Sequence, residues 1–84
     1  MFEELQFGVT KKVDLHGLSK EEARAVLCHE IFVLDTEYSG LMVVHGYHSG
    51  KILKDFVRKE FEHKQIQEKV FVNAAVTFLK IKQK

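Results

Sequence analysis

The spacing of apolar and polar positions changes period along the chain, and each change marks an element. Val13-Asp14-Leu15-His16 reads as a short strand ended by Gly17. From Ser19 onward, Ala23, Val26, Leu27, Ile31 and Leu34 recur at helical spacing and predict an amphipathic helix. Ser19 and Glu22 stand three apart at its start, the spacing of a capping box: a hydroxyl accepts one orphan N–H while a carboxylate reaches back to another. Ser39-Gly40 is expected to stop this helix. Leu41-Met42-Val43-Val44 is an unbroken apolar run, as in a strand covered on both faces or placed centrally in a sheet. A second helix is predicted from about Gly50 to His63, with Ile52, Leu53, Phe56, Val57 and Phe61 on its apolar face.

The end of the chain returns to strand patterns. Lys69–Val72 and Val76–Ile81 read as two strands around the turn-like Asn73-Ala74, with Thr77, Leu79 and Ile81 on one face. Residues 1–12 read as a leader, with an irregular strand at Leu5-Gln6-Phe7. The domain is expected over residues 13–84. Its order, β-α-β-α-β-β, predicts an α/β (α+β sandwich) fold with a four-stranded mixed sheet and two helices. The first two strands should be parallel, joined by a right-handed crossover.

Composition narrows the class. An 84-residue chain makes one small domain. A single cysteine, Cys28, excludes a disulfide scaffold, and it reads as a small, partly buried side chain. No apolar run approaches the ~20 residues that span a bilayer. The acidic start, Met1-Phe2-Glu3-Glu4, lacks the features of a signal peptide, so a cytoplasmic protein with no membrane partner is expected. The net charge of +1 hides an asymmetry. Residues 1–42 carry four Lys/Arg and eight Asp/Glu, a net −4; residues 43–84 carry nine and four, a net +5. The second half is the side suited to a phosphate backbone.

Candidate chemistry collects at two loops. In an open α/β sheet, ligands bind beyond the carboxyl ends of the parallel strands. Those ends are Asp14-Leu15-His16-Gly17 and His45-Gly46-Tyr47-His48-Ser49-Gly50. Neighbouring strands would bring Asp14, His16 and His45 together. Histidine exchanges protons near neutral pH, and a carboxylate beside it orients the imidazole. Gly46, Ser49, Gly50 and Lys51 are candidates for a phosphate-binding loop at the start of the second helix. Tyr47 is placed to stack on a base, and His48 to add a contact. Lys51, Lys54 and Arg58, at i, i+3 and i+7, form a candidate cationic stripe. His29 reads as structural, and His48 and His63 as surface residues.

Two sharper alternatives fit less well. The stretch from Gly46 to Lys51 is one residue short of a Walker A loop, and Ile52 stands where that motif needs Ser or Thr. A zinc site from Asp14, His16, His45 and His48 fits by ligand type, but its spacing matches no known zinc signature.

At these two loops the sequence resembles the Smr (small MutS-related) domain family. Val13-Asp14-Leu15-His16-Gly17 matches the family's aspartate-leucine-histidine-glycine motif. His45-Gly46-Tyr47-His48-Ser49-Gly50 matches its histidine-glycine-x-glycine-x-glycine motif at the histidine, the first glycine and the last. The chain departs from the family at His48, which replaces the middle glycine, and at Asn73-Ala74-Ala75, where the family is glycine-rich. The resemblance covers about residues 13–82. It implies a fold like the C-terminal domain of translation initiation factor three, and activity as an endonuclease that cleaves RNA or nicks DNA. It further implies roles in DNA repair or on messenger RNA at stalled ribosomes, and carries the catalytic positions to Asp14, His16 and His45.

The expected function is thus a nucleic-acid endonuclease, RNA favoured and DNA possible, with the ribosome as a further partner. In a metal-free route on RNA, His16 takes the 2′-hydroxyl proton and His45 protonates the leaving oxygen, or the two exchange roles. Asp14 orients His16, and no cofactor is needed; magnesium-assisted hydrolysis through Asp14 is the rival route. The alternative from a different class is a non-catalytic RNA- or ribosome-binding module. A small-molecule phosphohydrolase is a third.

Overall fold

The computed structural model describes residues 8–46 and 51–82. Its strands are β1 (Thr10–Asp14), β2 (Gly40–Val44), β3 (Ile66–Asn73) and β4 (Val76–Ile81). Helix α1 spans Lys20–Val33; helix α2 spans Lys51–Asp55 and continues as a π-helical turn over Phe56–Glu60. The strands form one mixed sheet in the order β1-β2-β4-β3. β1 and β2 are parallel, while β2 with β4 and β3 with β4 are antiparallel. The expected element order and sheet type are therefore present, and the apolar run of β2 lies centrally.

Both helices pack on one face of the sheet. Val13, Leu15, Leu41, Val43, Leu79 and Ile81 form one buried cluster with Ala23, Leu27 and Ile31 of α1 and with Leu53, Phe56 and Val57 from the second helical segment. Burying each such Leu or Phe stabilises the fold by ~1.5–3 kcal/mol. Lys11 reaches from β1 to Glu30 on α1 (2.7 Å), fixing that helix over the sheet edge. The expected capping box is formed: Ser19 Oγ accepts from the Glu22 amide (3.1 Å), and Glu22 Oε1 accepts from the Ser19 amide (2.9 Å).

Several boundaries differ from the sequence reading. β1 begins at Thr10, inside the stretch read as a leader, and ends at Asp14, so His16 lies beyond the strand. Lys11 and Lys12 masked this strand; alternation puts Lys11 on the helix-covered face with Val13, and its pair with Glu30 accommodates the charge there. Helix α1 ends at Val33, and Leu34 is its extended C-cap, six residues before Gly40. Gly40 opens β2 instead. A Cβ there would run into the carbonyl oxygen of Leu79 on β4, so the position needs glycine for close strand approach. β3 starts at Ile66, three residues before the expected Lys69. Leu5-Gln6-Phe7 lies outside the described residues.

The second helix ends at Glu60. Its closing turn is wide: the Phe61 amide donates to the Phe56 carbonyl (2.7 Å). Lys69 Nζ of β3 satisfies the carbonyl of Phe61 (2.6 Å), holding this turn against the sheet. Among the described residues, no helix is long and apolar enough to cross a membrane.

Candidate functional site

The two parallel strands end side by side, with Asp14 opposite Val44. The Leu15 amide donates to the Val44 carbonyl (2.7 Å), so the pairing continues one residue past β1 before the chain turns. At that turn Asp14 Oδ1 accepts the His16 backbone N–H (3.0 Å) and faces His16 Nδ1 at 3.0 Å. These two bonds from His16, backbone first, hold the Asp14 carboxyl below its ordinary value; the His16 and Lys12 charges add to the effect. An ionised carboxylate only accepts, so His16 Nδ1 carries a proton in this pair, and whenever the ring is neutral its lone pair is on Nε2. The His16 side chain is 77% exposed, and that nitrogen is available to a ligand.

Gly46 brings the second loop to the first. Its φ of +74° is one that glycine adopts without strain. A Cβ on Gly46 would touch His16 Cβ at 3.5 Å, which places the two loops in contact. The amides of His45 and Gly46 both donate to the Ala75 carbonyl (2.9 and 3.1 Å), tying this loop to the β3–β4 turn.

His45 is placed differently from His16. It is only 1% exposed, and its ring nitrogens meet Thr77 Oγ1 (Nε2, 2.9 Å) and the Gly46 carbonyl (Nδ1, 3.1 Å). The carbonyl only accepts, so Nδ1 carries the proton and Nε2 of the neutral ring accepts from the Thr77 hydroxyl. Thr77 Oγ1 in turn accepts from Arg58 Nε (2.7 Å). Burial lowers the His45 pKa most; the bond to Gly46 opposes this, and the positive charges of Arg58 and Lys54 reinforce it. The sequence reading gathers three groups at the strand ends. The structure joins Asp14, His16 and the Gly46 backbone, and commits the His45 ring to a buried network.

The cationic stripe is also divided. Arg58 Nη2 donates to the carbonyls of Asn73 and Val76, the latter at 3.0 Å, while its guanidinium lies 4.5 Å from the centre of the Phe71 ring. Arg58 is a clamp on the β3–β4 hairpin. Lys51 is exposed at the start of α2, and Lys54 is half-buried. Tyr47, His48, Ser49 and Gly50 lie outside the described residues. His29 is exposed, Cys28 is half-buried, and the half-buried His63 accepts the Gln65 amide at Nδ1 (3.1 Å).

Two participants escaped the sequence reading. Thr77 is the central member of the buried network, and its signal was present: a lone hydroxyl on the apolar face of β4. Lys12 stands two residues before Asp14 on β1, on the same face of the sheet, by strand alternation. The donor set for a resident metal is poor. Asp14 Oδ1 is already engaged by His16, and among the described residues no three His, Cys, Asp or Glu side chains gather to hold an ion.

Compared with protein-family models, with curated proteins and with solved structures, the chain has no match. Its functional reading therefore rests on this site.

Proposed function

We propose that the chain is a nucleic-acid endonuclease of the Smr type, acting by preference on RNA in the cytoplasm, with DNA or ribosome-bound RNA as further substrates. The observation that carries this reading is the exposed Asp14–His16 pair at the carboxyl end of a parallel strand, in contact with the Gly46 turn. His16 Nε2 takes the proton of the attacking 2′-hydroxyl, and Asp14 stabilises the imidazolium that forms. The 2′-oxygen then bonds to phosphorus, the bond to the 5′-oxygen breaks, and the leaving oxygen takes a proton from solvent. The products are a 2′,3′-cyclic phosphate and a 5′-hydroxyl. Lys51 contributes positive charge at the start of α2. His45 holds the Gly46 turn in place and is a positioning residue here.

A second reading, a non-catalytic RNA- or ribosome-binding module, is favoured by the commitment of the His45 ring, which leaves one accessible imidazole among the described residues at the strand ends. The test is cleavage of labelled single-stranded RNA, duplex DNA and supercoiled plasmid, with magnesium and with chelator. Wild type is compared with a double Asp14→Ala, His16→Ala variant. Cutting by wild type alone supports the nuclease. RNA binding without cutting supports the module, and cutting only with magnesium replaces the metal-free route.

A further inference from the structure

The helices leave one sheet face without a helix over it among the described residues. On β1, Lys11 and Val13 face the helices, so Thr10, Lys12 and Asp14 face the opposite side. Met42 and Val44 of β2 and Val76 and Phe78 of β4 share that side by the same alternation; Phe78, opposite Met42, is buried, so the open part of the face lies toward Val44 and Val76. Thr10, Lys12, Met42, Val44 and Val76 line a trough of about 300 Å³ across three strands. Its floor is half-buried and apolar, while Lys12 at its edge is exposed. No ion pair with another described residue engages Lys12. Two residues along a strand is about 7 Å, so the Lys12 backbone lies about that far from the Asp14 backbone.

We propose that this trough seats the nucleotide next to the cleaved phosphodiester, with Lys12 on its phosphate and Met42, Val44 and Val76 beneath its base. The inference rests on the nuclease reading and names its substrate class: a single strand. A double helix keeps its base faces stacked inside and offers only phosphates, whereas a single strand can lay a base on an apolar floor. Charge complementarity sets the direction. The strand runs along β1 from the Asp14–His16 pair toward Thr10, and Lys12 is the first cation it meets that no other described residue holds in an ion pair. Thr10 adds a hydroxyl at the far end for a sugar or phosphate oxygen.

The test measures binding of a single-stranded 2′-deoxy octanucleotide and of a duplex of equal length, in chelator, across a salt series. Wild type is compared with Lys12→Glu and Lys12→Gln; Lys12 is exposed, so neither disturbs the core. Backbone amide shifts are followed in parallel. Lys12→Glu is expected to weaken single-strand binding about fivefold or more, and Lys12→Gln to flatten the slope of log K against log salt by about 0.7. Shifts are expected at Thr10, Lys12, Met42, Val44 and Val76, with little Lys12 dependence for the duplex. Unchanged affinity and slope, shifts confined to residues around Gly46 and Lys51, or equal Lys12 dependence for the duplex would overturn the proposal. His16-dependent cleavage that ignores Lys12 overturns the trough alone. Lys12-dependent single-strand binding without cleavage overturns the nuclease reading and keeps the trough only as a seat for a bound strand, and no binding to any strand overturns both.

Discussion

The imidazole of His45 and the hydroxyl of Thr77 meet at 2.9 Å in the interior, between a residue just past β2 and one on the antiparallel β4. Arg58 approaches the same hydroxyl from the second helical segment at 2.7 Å. One oxygen thus ties a loop, a strand and a helix. A buried network of this kind stabilises only while it is complete, because a lost partner leaves a desolvated polar group behind.

Thr77→Val removes that oxygen while keeping the side chain's shape. It leaves His45 Nε2 and Arg58 Nε without their partner, and a loss of about 2–3 kcal/mol in unfolding free energy is expected by urea titration. Thr77→Ser keeps the hydroxyl and should lose less than half as much. A loss for Thr77→Val no larger than that for Thr77→Ser would contradict the network's part in stability, since only Thr77→Val removes the hydroxyl.

The same histidine makes stability depend on pH. His45 ordinarily titrates near 6.5, and burial lowers that value in the folded state. The unfolded chain therefore binds a proton that the folded chain resists. This contribution is fully present above about pH 6.5 and is lost as pH falls below it toward the depressed folded value, by up to ~1.4 kcal/mol per pH unit. Thermal unfolding between pH 7.5 and 5.5 should show the decline. His45→Gln should remove most of this slope, and a slope that persists would assign it to other groups.

Arg58 is expected to act through stability. Arg58→Gln removes the hairpin clamp and the contact with Phe71, and should cost about 2 kcal/mol. Lys51→Gln should leave stability within about 0.5 kcal/mol, since Lys51 is exposed and makes no ion pair with a described residue. Its effect should appear in the salt dependence of nucleic-acid binding. Parallel melting and binding measurements on the two variants separate these outcomes.

Gly40→Ala tests the sheet itself. The added Cβ runs into the Leu79 carbonyl, which is backbone and has no flexible end to move away. A loss of about 3 kcal/mol or more is expected in denaturant unfolding. A loss typical of a helix-stopping glycine, near 1 kcal/mol, would contradict the pinch between β2 and β4.

What the sequence made legible was local. The capping box at Ser19 and Glu22, the central apolar run of β2, and the bounds of β4 all follow from neighbours a few residues apart. The misread features depend on distant partners. A lysine at position 11 is tolerated on a covered strand face because Glu30 waits on α1, and Gly40 serves β4 rather than the helix before it. Counting i, i+3, i+7 aligned Arg58 with Lys51 and Lys54, but that count assumes a regular α-helix. The π-helical turn over Phe56–Glu60 changes the phase, and Arg58 points to the hairpin. At the candidate site, Asp14 and His16 could be paired from the sequence because they are two residues apart. The burial of His45 could not, because it depends on Thr77, thirty-two positions away.

The role proposed for the Asp14–His16 pair is phosphodiester cleavage on RNA. Its most direct test is the rate and end-group analysis of single-stranded RNA cleavage in chelator, comparing wild type with a folded His16→Ala variant. Wild type is expected to leave 2′,3′-cyclic phosphate ends, and His16→Ala to lose about a hundredfold or more in rate. Equal rates for the two proteins, or 3′-hydroxyl ends, would contradict that role.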